Sequence, residues 1–203
     1  MDFNGFVAAD FDFFKKKDKF TKEEYDKFRN EIKLHFRKFC YELQKIYHKN
    51  TDGVLEIDKE FHGFSKKSEE IAAYNLVKDD MRIKFFLNSE NVGTCLEIKD
   101  DNLKDFLTKY KDVIKQFLFS NKHAFIELQN LGKGDKKTRI LALDYSEKNY
   151  EGFIMESSKS KTLLVGFIYN KNEAIKLGKD ITKHIHENYY EISKIKDLML
   201  QNK

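Results

Sequence analysis

The chain has 203 residues, 40% hydrophobic and 35% charged, with a net charge of +4. That balance excludes disordered and fibrous classes, and a chain of this length is expected to form one domain, residues 1–203. The longest uncharged apolar run, Thr162 to Asn170, is far too short for a bilayer, so no membrane partner is expected.

Residues 1–20 form an aromatic arm carrying Phe3, Phe6, Phe11, Phe13, Phe14 and Phe20. Asp10 reads as the cap of a short helical turn, with the arm packed under the longer helix after it. The opening residues lack a basic n-region, so no signal peptide is expected. From Thr21 to about His48 runs one long amphipathic helix. Thr21 and Glu24 have capping-box spacing, and Tyr25, Phe28, Ile32, Phe36, Phe39, Leu43 and Ile46 recur at steps of three and four. So aromatic a stripe must be buried, most economically against a sheet.

Asn50 to Gly53 reads as a turn and Val54 to Ile57 as a short strand; Ile71 to Tyr74 fits either strand or helix. The clearest hairpin comes next. Met81, Ile83, Phe85 and Leu87 alternate with Arg82, Lys84 and Asn88, and Leu96 and Ile98 with Glu97 and Lys99, joined by Ser89 to Gly93. Asn102 caps a second amphipathic helix from Leu103 to Leu118. A strand pair, Ala124–Leu128 and Thr138–Leu143, turns at Gly132-Lys-Gly134, and Leu163 to Tyr169 has the continuous apolar character of a strand covered on both faces. Asn170 and Glu173 open a helix that Gly178 weakens, before a terminal amphipathic segment with Ile192, Ile195, Leu198 and Met199. The order of elements predicts an α+β fold: the long N-terminal helix and the C-terminal helices pack on an antiparallel or mixed sheet.

Gly5-Phe6 with Asp10-Phe-Asp-x-Phe14, then a long helix carrying Arg29 and Ile32, resembles the YktB-like family of uncharacterised bacterial proteins. Leu163-Leu-Val-Gly166 with Glu173-Ala-Ile and an amphipathic C-terminal helix resembles it too. The resemblance implies a bacterial α+β protein and carries no established activity. Where that family has a His- and Arg-rich segment with Pro-Pro and Trp, this chain has His62, Lys66, Lys67 and Ser68.

Charge is unevenly spread. Twelve basic and six acidic residues lie between Lys15 and Lys49, a net +6 that leaves −2 for the remainder. On the long helix Arg29, Lys33 and Arg37 stand one turn apart, and the chain has only four Arg. These three, joined by His62 and Lys66, are the expected ligand-binding residues. The ligand is expected to be a nucleic-acid backbone or an anionic, phosphorylated small molecule. Internal ion pairs are the competing explanation for the row. A second reading is a Mg²⁺-dependent nuclease, in which Asp80 and Glu97 hold the metal and Lys99 steadies the attacking water. Against it, Glu97 could simply pair with Lys84 across the hairpin. The third reading is a protein-interaction module.

No cofactor or resident metal is implied. His184 and His186 point about 200° apart on a helix and cannot chelate together. Gly132-Lys-Gly134 lacks P-loop spacing, and Cys40 beside the apolar stripe fits packing better than a dyad with His35 or His48. Two cysteines make no disulfide framework, so free thiols in the cytoplasm are expected.

Overall fold

Thr21 and Glu24 form the expected reciprocal cap: Glu24 N donates to Thr21 Oγ1 at 3.2 Å, and Thr21 N donates to Glu24 Oε2 at 2.9 Å. From this cap helix α2 runs Lys22–Asn50, burying Tyr25, Ile32, Phe36, Phe39, Cys40 and Leu43. The structure, a computed structural model, describes residues 2–51, 53–61, 64–75, 81–129 and 138–201. Ahead of α2 lies helix α1, Ala8–Lys16. Asp10 is not its cap. It sits in the first turn and accepts the Val7 amide at 2.8 Å, with Val7 in the capping position.

The strands are β1 (Ile57–Asp58), β2 (Glu70–Asn75), β3 (Met81–Asn88), β4 (Asn91–Lys99), β5 (Ala124–Gln129), β6 (Thr138–Leu141) and β7 (Thr162–Asn170). They form one antiparallel sheet in the order β1-β2-β3-β4-β7-β5-β6. The antiparallel course of β4 and β7 shows at their ends, where Asp100 N donates to Lys161 O and Lys171 N to Glu90 O. The fold is therefore α+β, as the order of elements predicts.

Several elements differ from expectation. The hairpin loop is Ser89-Glu90, not a five-residue segment, because Asn88 Oδ1 takes the amides of Glu90 and Asn91 and closes a tight turn. The helix after Asn102 is two helices, α3 (Leu103–Lys109) and α4 (Lys111–Ser120), broken at Tyr110, whose hydroxyl donates to Met199 O at 2.9 Å. Helix α5 (Glu147–Ser157) is an element the sequence pattern does not single out; Ser146 caps it by accepting the Asn149 amide. Helices α6 (Lys171–Leu177) and α7 (Ile181–Gln201) are separated at Gly178, whose φ is +57°. Gly132, Gly134, Lys136 and Lys137 lie outside the described residues.

The chain divides into two compact units. The first holds Met1–Val77, Lys84–Thr94 and Tyr169–Asn188. Its core is built on rings: Phe3 and Phe6 pack on Phe39 at 5.5 and 5.1 Å, and Phe36 on Phe39 and Phe61 at 5.5 and 5.6 Å. The second holds Lys78–Ile83, Cys95–Ile168 and Tyr189–Lys203. There Phe117 of α4 meets Phe167 of β7 at 4.9 Å, and Tyr150 of α5 donates to Leu107 O.

Also in the second unit, Lys115 and Lys111 of α4 both reach Glu147 in the first turn of α5. The hydrogen bond from Lys115, then that from Lys111, holds the Glu147 carboxyl down from 4.5 to about 2. A carboxyl depressed by folding stabilises the native state above its unfolded pKa, and that contribution fades as pH falls through the folded value. Glu147→Gln is therefore expected to lower the melting temperature slightly at neutral pH, with the difference shrinking from about pH 4.5 toward about pH 2. Melts of both proteins across that range check this; a difference independent of pH would contradict it.

Candidate functional site

On α2, positions 25, 29, 33, 37 and 41 fall one turn apart along a single line. Arg29, Lys33 and Arg37 occupy its middle, all half-buried rather than on an exposed border. The segment that returns after β1 half-buries the arginines. Arg29 Nε and Nη2 both donate to Phe64 O, at 3.2 and 2.7 Å, and Arg37 Nη2 donates to Lys59 O at 3.5 Å. Each guanidinium also lies over a ring, Arg29 over Phe64 and Arg37 over Phe61. Phe61 has φ +51°, a left-handed conformation costly for a bulky side chain. It is held there by burial and by its contacts with Phe36 and Arg37.

The returning segment adds cations at both ends of the line. Lys66 Nζ lies 5.8 Å from the Tyr25 ring centre. Lys59 Nζ lies 3.9 Å over the Tyr41 ring and donates to Gln44 Oε1. Lys66, Arg29, Lys33, Arg37 and Lys59 thus stand in sequence along one helix face. His62 lies outside the described residues. Sequence reasoning misses Lys59, since nothing local tells that a lysine after a two-residue strand folds back over Tyr41.

The two arginines of this row differ from the other two arginines of the chain. Among the described residues none of the five is in ion-pair contact with a carboxylate, and the arginines spend hydrogen bonds on backbone carbonyls instead. The other two arginines are neutralised: Arg82 by Glu97 and Arg139 by Glu127, both carboxylates buried in the sheet. Burial, then repulsion from Arg29 and from Arg37, pushes the Lys33 ammonium below its usual range, against a weaker opposing pull from Glu60.

No protein-family model matches the chain, nor does any curated protein.

The acidic-x-Lys constellation takes a different form from that expected. Glu97 pairs with Arg82, through Nε at 3.0 Å and Nη2 at 2.7 Å, while Lys99 Nζ stands 3.7 Å away. Lys84 pairs with Glu70 instead. Asp80 lies outside the described residues. Glu127 directly faces Arg139 on β6 and Leu164 on β7, and Arg139 binds its Oε2. Among the described residues no group of three or more His, Cys, Asp or Glu side chains is placed to hold a metal ion. His184 lies 3.8 Å from Glu187, while His186 is buried near Tyr47, and burial lowers its pKa. Cys40 and Cys95 are buried and not joined in a disulfide, and burial drives the Cys40 thiol far above its usual range, which leaves it a packing group. No helix among the described residues is long and apolar enough to cross a membrane.

Proposed function

We propose that the chain is a binding module for an anionic ligand, with the α2 row of Lys66, Arg29, Lys33, Arg37 and Lys59 as its contact face. One observation carries this reading: five cations succeed one another along a helix face with no carboxylate paired to them among the described residues. Like charges held together without counter-charge destabilise the free protein. An anion laid along the row relieves the repulsion from Arg29 and Arg37 that adds to burial in depressing Lys33. The guanidinium groups are fixed by Phe64 O and Lys59 O before any ligand arrives, which lowers the ordering cost of binding. A reducing, cytoplasmic setting is supported by the two buried cysteines that are not joined in a disulfide. Kinship with the YktB-like family is part of this reading and rests on the stretches Gly5–Ile32 and Leu163–Ile175 with the C-terminal helix.

The test uses two polyanions, a fluorescein-labelled DNA duplex and labelled poly-glutamate, tracked by anisotropy across a salt series. Binding is expected to weaken steeply as salt rises. Lys33→Gln with Arg37→Gln should weaken it further and, for the duplex, flatten the salt slope by about two units. Arg29 is left intact in this variant because its paired bond to Phe64 O also holds the returning segment. Equal binding by the variant, or salt-independent binding of both probes, would overturn the reading.

A further inference from the structure

The cationic row does not stop at Arg37. It opens into a groove of about 720 Å³ formed by α2 from Leu34 to His48 and by Val54 and Leu55. Leu34, Tyr41 and Val54 line it although they are 45%, 49% and 75% exposed. Among the described residues its ionisable lining side chains besides Tyr41 are Arg37, Lys38, Lys45 and His48, with no carboxylate among them. Lys45 is engaged by Glu42 at 3.0 Å and faces Asp2 at 4.0 Å, which leaves Arg37 and Lys38 as the open charges. The far wall is fixed: Gln44 Nε2 donates to Leu55 O at 2.6 Å, and Lys59 in turn holds Gln44 Oε1.

We propose that this groove docks an acidic amphipathic helix from a partner protein. The proposal rests on the anion-binding reading and names the kind of anion. A bare phosphate backbone gains nothing from Leu34, Tyr41 and Val54, whereas a ligand carrying both carboxylates and apolar side chains uses the whole surface. Leu34, Tyr41 and His48 are seven residues apart, two turns or about 10.5 Å of helix, the repeat that the ridges of a second helix match. The occupant therefore presents Leu- or Phe-like anchors at i, i+3 or i+4 and i+7, flanked by Glu or Asp that meet Arg37, Lys38 and the row beyond.

The experiment selects a displayed library of random 16-residue peptides on the immobilised full chain and measures the enriched peptides by anisotropy. Acidic sequences with helically spaced apolar anchors should emerge, and Leu34→Asp with Tyr41→Asp should weaken them at least tenfold. Thermal melts should show the variant folded; if it is not, Leu34→Ala with Val54→Ala replaces it, with a loss of at least threefold expected. The proposal is overturned if no acidic amphipathic sequence is enriched or if the groove variant binds the peptides unchanged. It is equally overturned if a DNA duplex or vesicles of anionic phospholipid bind tighter than every selected peptide. Failures separate cleanly. Peptides lost by a Lys33→Gln/Lys66→Gln variant, neither residue lining the groove, but kept by the groove variant preserve the row and sink the groove. The converse preserves the groove and sinks the row.

Discussion

Phe36→Ala is expected to destabilise the protein by about 3–5 kcal/mol, the usual cost of truncating a fully buried Phe. Phe36 has no exposed surface, and its ring meets Phe39 at 5.5 Å and Phe61 at 5.6 Å. Because Phe61 is held at φ +51° partly by that contact, loss of the Phe36 ring also removes support from a strained backbone. The returning segment that carries Lys59 should loosen with it, so affinity for polyanions should fall alongside stability. Urea unfolding read by far-UV circular dichroism gives the first number and anisotropy the second. A loss of stability below about 1 kcal/mol, the range of surface substitutions, would show that α2 does not organise this core.

Gly5→Ala is expected to cost about 2–6 kcal/mol, from a positive-φ position and from a backbone clash, each worth about 1–3. Gly5 has φ +101°, and an added Cβ would stand 2.5 Å from the carbonyl carbon of Gly178 and 2.6 Å from its Cα. Both contacts are with main chain, at the junction between α6 and α7, so no flexible side chain can swing aside. Gly152 supplies the opposite control within α5: an added Cβ meets nothing within 4 Å. Gly152→Ala should stabilise the protein by about 0.4–1 kcal/mol through the unfolded chain and helix propensity. The two alanine variants should therefore move the urea midpoint in opposite directions. A Gly5→Ala protein as stable as wild type would mean that the arm and the Gly178 junction do not approach each other in solution.

Helix α2 is legible because its signals are local. A cap acts over three residues and an amphipathic stripe over three or four, so Thr21, Glu24 and the buried ring stripe locate the element without knowledge of the rest. The same holds for β3, β4 and β7, whose apolar content marks them as strands, and for the capping pair of Asn170 with Glu173. Helix α5 carries local signals too, in Ser146, Asn149, Tyr150 and Phe153, but its short apolar stripe is interrupted by Gly152 and by polar residues. Other features have no local trace. The break at Tyr110 involves neither Gly nor Pro; Tyr110 is anchored through Met199, far along the chain. The partner of Glu97 depends on register: the two-residue turn at Ser89-Glu90 sets it beside Arg82 rather than Lys84, and a longer loop would shift β4 along β3 and lose that pair.

The candidate site divides along the same line. By itself the sequence determined that Arg29, Lys33 and Arg37 share one face of α2, because helical periodicity alone puts residues four apart on one line. Only the tertiary structure decided that Phe64 O and Lys59 O hold the two arginines, that Lys59 extends the row beyond Arg37, that Lys66 meets it at Tyr25, and that Leu34, Tyr41 and Val54 border it with an apolar groove. Those facts depend on where the chain after β1 comes back to α2. That return is set by burial of Phe61 and Phe64 against rings contributed by distant residues, an interaction no short window of sequence contains.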